Sequence, residues 1–193
     1  VRGITIRMKG ETLKILEEYQ SHIRRLLGKA VYSLEGESMA ECILRRCLEK
    51  NVTLVTAESC TGGLIASMIT DVPGASKVFL RGYVAYSNRS KTDLLGVDPG
   101  IIERYGAVSR ETVEAMATGA LERSNGDIAV AVSGIAGPDG AVEGKPVGTV
   151  WISVCHKGQC HTEKISYNRG RLKNKEHAAY AALNLIRLLL SDE

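Results

Sequence analysis

Residues 128–132, Ile-Ala-Val-Ala-Val, form an unbroken apolar run between Asp127 and Ser133. A strand that is apolar at every position buries both of its faces, so it needs a layer of structure on each side. The run therefore predicts a central strand in a sheet covered on both faces by helices. The flanking pattern agrees. Met39, Ile43, Leu44, Cys47 and Leu48 fall on one helical face, and residues 52–56 are a short β-rich run. Residues 62–70 read as a helix stopped by Asp71-Val72-Pro73-Gly74, and 78–87 as a strand. Short helices are expected at 90–95 and 101–105. Ser109 is placed to cap a longer helix whose apolar stripe is Val113, Met116, Ala117, Ala120 and Leu121. Residues 147–155 and 160–167 flank His156-Lys157-Gly158-Gln159 as a hairpin, and a last helix spans about 173–190. The fold class this predicts is α/β: a three-layer α/β/α sandwich with a mixed sheet and an antiparallel hairpin.

Residues 1–35 differ from the rest. Ile4 and Ile6 alternate with polar residues like a short strand. Leu13, Leu16, Tyr19, Ile23, Leu26 and Leu27 then recur at helical spacing up to Gly28. A strand and one helix are too little to bury a core. This strand-helix extension must pack on the main domain (36–193), on a partner subunit, or on a preceding domain, and it hints at a homodimer.

Several function classes are excluded or disfavoured. The net charge is +3 with both signs interspersed and no block of like charge, which gives no footprint for nucleic acid. No apolar run approaches the roughly 20 residues of a membrane span, and no secretory h-region is evident. Five cysteines, an odd number scattered along 193 residues, do not read as a disulfide framework, so a reducing cytoplasm is expected.

Four segments carry candidate chemistry. Thr56-Ala57-Glu58-Ser59-Cys60-Thr61-Gly62-Gly63 leaves a buried strand and enters a helix, where ligands of α/β folds bind. Its hydroxyls serve equally as helix caps or as a nucleophile. In Gly82–Lys91 a strand passes into a short helix. Lys91 there is either a solvated surface cation or, if desolvated, a base able to activate a serine, with the Tyr86 hydroxyl relaying the proton. Ser133-Gly134-Ile135-Ala136-Gly137-Pro138-Asp139-Gly140 again follows a buried strand. Gly134 and Gly137 either present N–H groups to a phosphate or carboxamide oxygen or simply make a turn. The polar stretch 139–146 beyond it suits a lid. Cys155-His156 and Cys160-His161 invite a zinc reading, but strand alternation puts each cysteine and its neighbouring histidine on opposite faces. The expectation is no metal, with the two cysteines facing one another across the turn.

Taken together and in order, these segments resemble the C-terminal domain of CinA, the competence/damage-inducible protein, and the related nicotinamide-nucleotide amidases. The resemblance is carried by Thr56 to Gly63, Asp71-Val-Pro-Gly-Ala-Ser76, Gly82 to Lys91, Leu94-Leu-Gly-Val97, Tyr105-Gly-Ala-Val-Ser109, Ser133 to Gly140 and Lys145-Pro-Val-Gly-Thr-Val-Trp151. It covers about residues 36–190. It implies hydrolysis of nicotinamide mononucleotide to nicotinic acid mononucleotide and ammonia, without metal or cofactor. It also implies a catalytic serine, tyrosine and lysine at Ser59, Tyr86 and Lys91. The backbone N–H groups of Cys60, Thr61, Gly62 and Gly63 then form the expected oxyanion hole. Ser133, Gly134, Gly137 and Arg171 complete the expected substrate contacts. Arg171 matches an arginine of the family, whereas Gly170 stands where many relatives carry aspartate. Residues 1–35 are similar to the end of the connecting domain of longer CinA proteins. The competing reading is a non-catalytic module that binds a nucleotide or a protein partner. The joint presence of Ser59, Tyr86 and Lys91 favours the enzyme.

Overall fold

The structure is a computed structural model that describes residues 4–191. Five strands form one sheet: β1 (Leu54–Glu58), β2 (Phe79–Val84), β3 (Ile128–Gly134), β4 (Thr149–His156) and β5 (Gln159–Ser166). Their order is β2-β1-β3-β4-β5. β1 pairs in parallel with both β2 and β3, while β3–β4 and β4–β5 are antiparallel. The sheet is mixed, as expected.

The apolar run does lie in the middle of the sheet, and its alternate residues feed two cores. Ile128, Val130 and Val132 join the layer of α2 (Met39–Lys50), α3 (Leu64–Thr70) and α7 (Arg171–Leu189). Ala129 and Ala131 face α4 (Asn88–Leu95), α5 (Pro99–Tyr105) and α6 (Arg110–Ser124). Small alanines on that side let α6 come close to the sheet. α6 starts as expected, with Ser109 accepting from the Thr112 N–H. α2 opens with a reciprocal Ser38/Glu41 capping box. The hairpin turn is tighter than its flanking residues suggest, since only Lys157 and Gly158 separate the strands, both at positive φ. Cys155 and Cys160 are paired across β4 and β5 and joined by a disulfide. Alternation predicts their proximity but not the bond. Cys42, Cys47 and Cys60 are free and buried.

The N-terminal extension departs from expectation. α1 (Leu13–Leu27) forms and ends at Gly28, whose N–H returns to the Arg24 carbonyl. The strand expected around Ile4 and Ile6 does not form. Residues 4–10 have no regular structure, and Ile4 is 83% exposed; Val1 to Gly3 lie outside the described residues. Two isoleucines in alternation cannot make a strand without a ladder partner. α1 itself buries no residue, and Leu13, Tyr19 and Leu26 are open to solvent. The extension is held just after α1, where the buried Arg187 of α7 donates to the Lys29 carbonyl (2.7 Å). No helix among the described residues is long and apolar enough to cross a membrane.

Candidate active site

β2 and β3 lie on opposite sides of β1, and the chain reaches them through helices on opposite faces. A crevice therefore opens at the carboxyl end of β1, the usual ligand position in such sheets. Ser59 follows β1 there. Its N–H donates to the Val132 carbonyl (3.0 Å), while the Glu58 carbonyl accepts from the Ala85 N–H (2.8 Å), so both neighbouring strands fix this end of β1.

By alternation, Glu58 and Ser59 point to opposite layers. The Glu58 carboxylate, 1% exposed, turns toward α3. It accepts from the N–H groups of Gly63 (3.0 Å), Ile65 (3.0 Å) and Ala66 (2.8 Å). α3 has no side-chain cap from its own N-cap residue, Gly63, so Glu58 supplies it, and its charge meets the positive end of the helix. Sequence reasoning passed over Glu58. The available signal was a carboxylate in an otherwise uncharged buried strand leading into a helix.

Ser59 turns toward α4 and meets Lys91. This lysine is 1% exposed, and its Nζ lies 3.2 Å from Ser59 Oγ, 3.1 Å from the Ala85 carbonyl and 3.4 Å from the Tyr86 carbonyl. Burial pulls its pKa below the ordinary lysine range, and the smaller effect of Cys60 opposes the shift. A neutral amine has two N–H donors and one lone pair. As an ammonium, Lys91 donates to all three oxygens. Once neutral, it keeps its two donors for the carbonyls and turns its lone pair to the Ser59 hydroxyl. Burial favours the neutral form, and in that form the 3.2 Å contact places a base beside a hydroxyl nucleophile. α4 is held for this by Ser87 and Ser90, which bond reciprocally at its start.

Cys60 is packed away in the α3/α7 core, and burial pushes its thiol up to about 12, so it stays protonated and unreactive. Of the expected oxyanion donors, two are already committed: the Gly62 N–H to the Ser59 carbonyl (3.1 Å) and the Gly63 N–H to Glu58. The N–H groups of Cys60 and Thr61 have no carbonyl or carboxylate partner among the described residues. Thr61 Oγ1 is buried there without a partner.

The structure redirects four further expectations. The Tyr86 hydroxyl is not between Ser59 and Lys91. Tyr86 is 58% exposed, and its hydroxyl accepts from Arg171 Nη2 (2.9 Å); only its backbone carbonyl reaches Lys91. Ser133 is 1% exposed and donates to the Ala107 carbonyl (2.6 Å), tying the α5–α6 connection to β3. Gly134 is required by packing, because a Cβ there would come within 2.6 Å of Val150 Cγ2 and 2.8 Å of the Thr149 carbonyl. Gly137, at φ +84, presents a carbonyl rather than an N–H: it accepts from Arg171 Nη1 (2.8 Å). Arg171 and Tyr86 therefore form the rim of the crevice, with Ser59 and Lys91 at its floor. The connection at 139–146 is tied down by Lys145, which donates to the Tyr105 carbonyl (2.8 Å). No group of three or more potential metal ligands occurs among the described residues.

The comparisons agree with this architecture. The CinA C-terminal domain profile matches residues 36–190. A CinA-like protein of Akkermansia muciniphila is 45% identical over 184 residues, which is 95% of this chain and 44% of that protein. A CinA-like protein of Geotalea daltonii is 44% identical over 90% of this chain and 42% of its own length. The chain thus spans less than half the length of these relatives. The crystal structure of a competence/damage inducible protein from Agrobacterium tumefaciens superposes with a TM-score of 0.77 at 40% identity, covering 80% of this chain and 94% of that one. A competence-damaged protein (CinA) superfamily structure from Escherichia coli gives 0.76 at 32% identity, covering 84% and 98%. With the profile spanning the whole sheet and all six helices of the main domain, the chain belongs to the CinA C-terminal domain family.

Proposed function

We propose that this chain hydrolyses the carboxamide of nicotinamide mononucleotide to nicotinic acid mononucleotide and ammonia, with Ser59 as nucleophile and Lys91 as base. The observation that carries this reading is the buried Lys91 Nζ, 3.2 Å from Ser59 Oγ and within hydrogen-bond distance of the Ala85 and Tyr86 carbonyls, with no carboxylate among the described residues to hold its charge. An unpaired lysine enclosed at a strand end is expensive unless its neutral form is used. The choice of substrate rests on the family resemblance.

In this mechanism Lys91 takes the Ser59 proton as Oγ attacks the carboxamide carbon. The tetrahedral oxyanion is received by the N–H groups of Cys60 and Thr61, which no carbonyl or carboxylate among the described residues occupies. Lys91 returns the proton to the departing nitrogen, ammonia leaves, and a Ser59 ester remains. Lys91 then activates water, the ester is cleaved, and the acid leaves. Proton transfer between Ser59 and Lys91 is direct, and Tyr86 serves the substrate end of the crevice with Arg171. Neither metal nor cofactor is required.

The test is to incubate purified protein with nicotinamide mononucleotide and measure ammonia and nicotinic acid mononucleotide separately. Equimolar formation of both is expected. If neither appears at enzyme concentrations approaching that of the substrate, the amidase reading fails and the non-catalytic module replaces it. The exposed apolar stripe of α1, Leu13, Tyr19 and Leu26, is the feature that favours a partner. We propose a second copy of the chain as that partner, in a cytoplasmic homodimer with no membrane or nucleic-acid contact.

A further inference from the structure

We propose that Lys175, with Arg171, is the specificity-determining cation that recognises the phosphomonoester of the substrate and so restricts the site to nucleotides. The inference rests on the amidase reading and extends it to the far end of the substrate.

Lys175 lies one helical turn beyond Arg171 on α7, so the two side chains share a face. Its Nζ is 3.6 Å from the position a Cβ on Gly62 would occupy, directly over the connection that leads from Ser59 into α3. Arg171 reaches the same mouth from one turn earlier, bonded to the Tyr86 hydroxyl and the Gly137 carbonyl. Neither cation has a carboxylate partner among the described residues, and Lys175 has no hydrogen-bond partner there either.

That arrangement is unfavourable for the helix itself. Like charges four residues apart repel, and cations near a helix start oppose its dipole. The first turn of α7 holds no acidic residue that would offset either effect. An anion at the crevice mouth relieves both.

The crevice grades from floor to rim in a way that fits one kind of molecule. At the floor are a 7% exposed serine and a 1% exposed lysine whose burial favours its neutral form, surroundings for an uncharged carboxamide. At the rim are an exposed tyrosine ring and two cations without a carboxylate partner among the described residues. A nucleoside monophosphate bearing a carboxamide on its base has its neutral and dianionic ends separated in the same sense. Arg171 already spends two N–H groups on Gly137 and Tyr86, which fixes its guanidinium. The lysine ammonium is uncommitted and free to follow a phosphate. Nothing in the sequence singled out Lys175 from its neighbours Lys173 and Arg169; its position over Gly62 does.

The experiment compares kcat/KM for nicotinamide mononucleotide and for its dephosphorylated riboside in wild type, Lys175→Gln, Lys175→Arg and the control Lys173→Gln. For Lys175→Gln, kcat/KM on the nucleotide is expected to fall about 10- to 100-fold, as for a lost charge-assisted contact. Activity on the riboside stays within about threefold. Lys175→Arg restores most of the preference and Lys173→Gln leaves it unchanged. An equal loss on both substrates, or no loss on either, overturns the proposal.

A second arm is independent of turnover. Inorganic phosphate is titrated into 15N-labelled protein while the Gly62 amide is followed. A saturable shift that vanishes in Lys175→Gln is expected, and its absence in wild type overturns the inference. Ammonia release failing while this shift persists would defeat the amidase reading alone.

Discussion

Replacing Lys91 separates its use as a base from every other use of a positive charge. Lys91→Met keeps roughly the length of the side chain and deletes the amine 3.2 Å from Ser59 Oγ. A positioned base contributes about 100- to 10,000-fold in rate. At about 1.36 kcal/mol per tenfold, that is ~3–5 kcal/mol of barrier. Turnover should fall by at least that factor, because no other titratable side chain contacts Ser59 Oγ among the described residues. Lys91→Arg keeps the charge but never the neutral state. It also overfills a position that is 1% exposed, at a typical cost of ~1–3 kcal/mol in stability. Circular dichroism and a melting curve must therefore accompany each assay. In wild type, kcat/KM should rise with pH through the lowered pKa of Lys91, since only the deprotonated amine accepts the serine proton. Ammonia release from nicotinamide mononucleotide reads all of this. A folded Lys91→Arg variant within tenfold of wild-type turnover would refute the base assignment and leave Lys91 as a structural or electrostatic group.

The same lysine gives a stability test. The folded state releases the Lys91 proton at lower pH than the unfolded chain does, so the unfolded state binds more protons between the lowered value and about 10.4. Wild type should gain stability across that window as pH rises, and urea titrations should show that increment missing in Lys91→Met. Glu58→Gln replaces a carboxylate that accepts three backbone N–H bonds by an amide with one acceptor oxygen and an unwanted donor. A loss of ~2–4 kcal/mol in unfolding free energy is expected, with a lower Tm, and a loss below ~0.5 kcal/mol would contradict its role as the cap of α3. Elemental analysis should find no stoichiometric zinc, because strand alternation puts each cysteine and its neighbouring histidine on opposite faces and no group of three potential ligands occurs among the described residues. One tightly held zinc per chain, lost in Cys155→Ser, would overturn that.

How much of this was legible beforehand depended on whether a residue's meaning lies in its own type or in its neighbours. Ile128 to Val132 announced two covered sheet faces because burial on both sides leaves no position for a polar residue, and each face indeed meets its own core. Ser59 and Lys91 came from the family resemblance. Residue types alone left Lys91 a choice between solvated cation and buried base, and the fold encloses it. Tyr86 came from the same resemblance as a proton relay, yet its hydroxyl meets Arg171 rather than Ser59 or Lys91, since a residue's type does not say how far its ring leans toward solvent. Glu58 was missed because its partners are backbone N–H groups of α3, which no residue type marks. Ile4 and Ile6 misled in the opposite way: local alternation mimicked a strand that has no neighbour to pair with. Gly134 and Gly137 suit a ligand cradle or a turn by type alone, and the fold gives each a packing reason, one in the approach of β4 and the other in positive φ beside Val147.

The most direct test of the Ser59–Lys91 account is to trap the acyl-enzyme. Protein mixed with excess nicotinamide mononucleotide is quenched in acid within the first turnover, digested with trypsin and analysed by mass spectrometry. The account predicts an adduct equal to the substrate less ammonia on the peptide that runs from Asn51 to Lys77 and contains Ser59. The adduct should be absent in a folded, inactive Ser59→Ala variant. Near-normal ammonia release by Ser59→Ala, or an adduct carried by any residue other than Ser59, would contradict it.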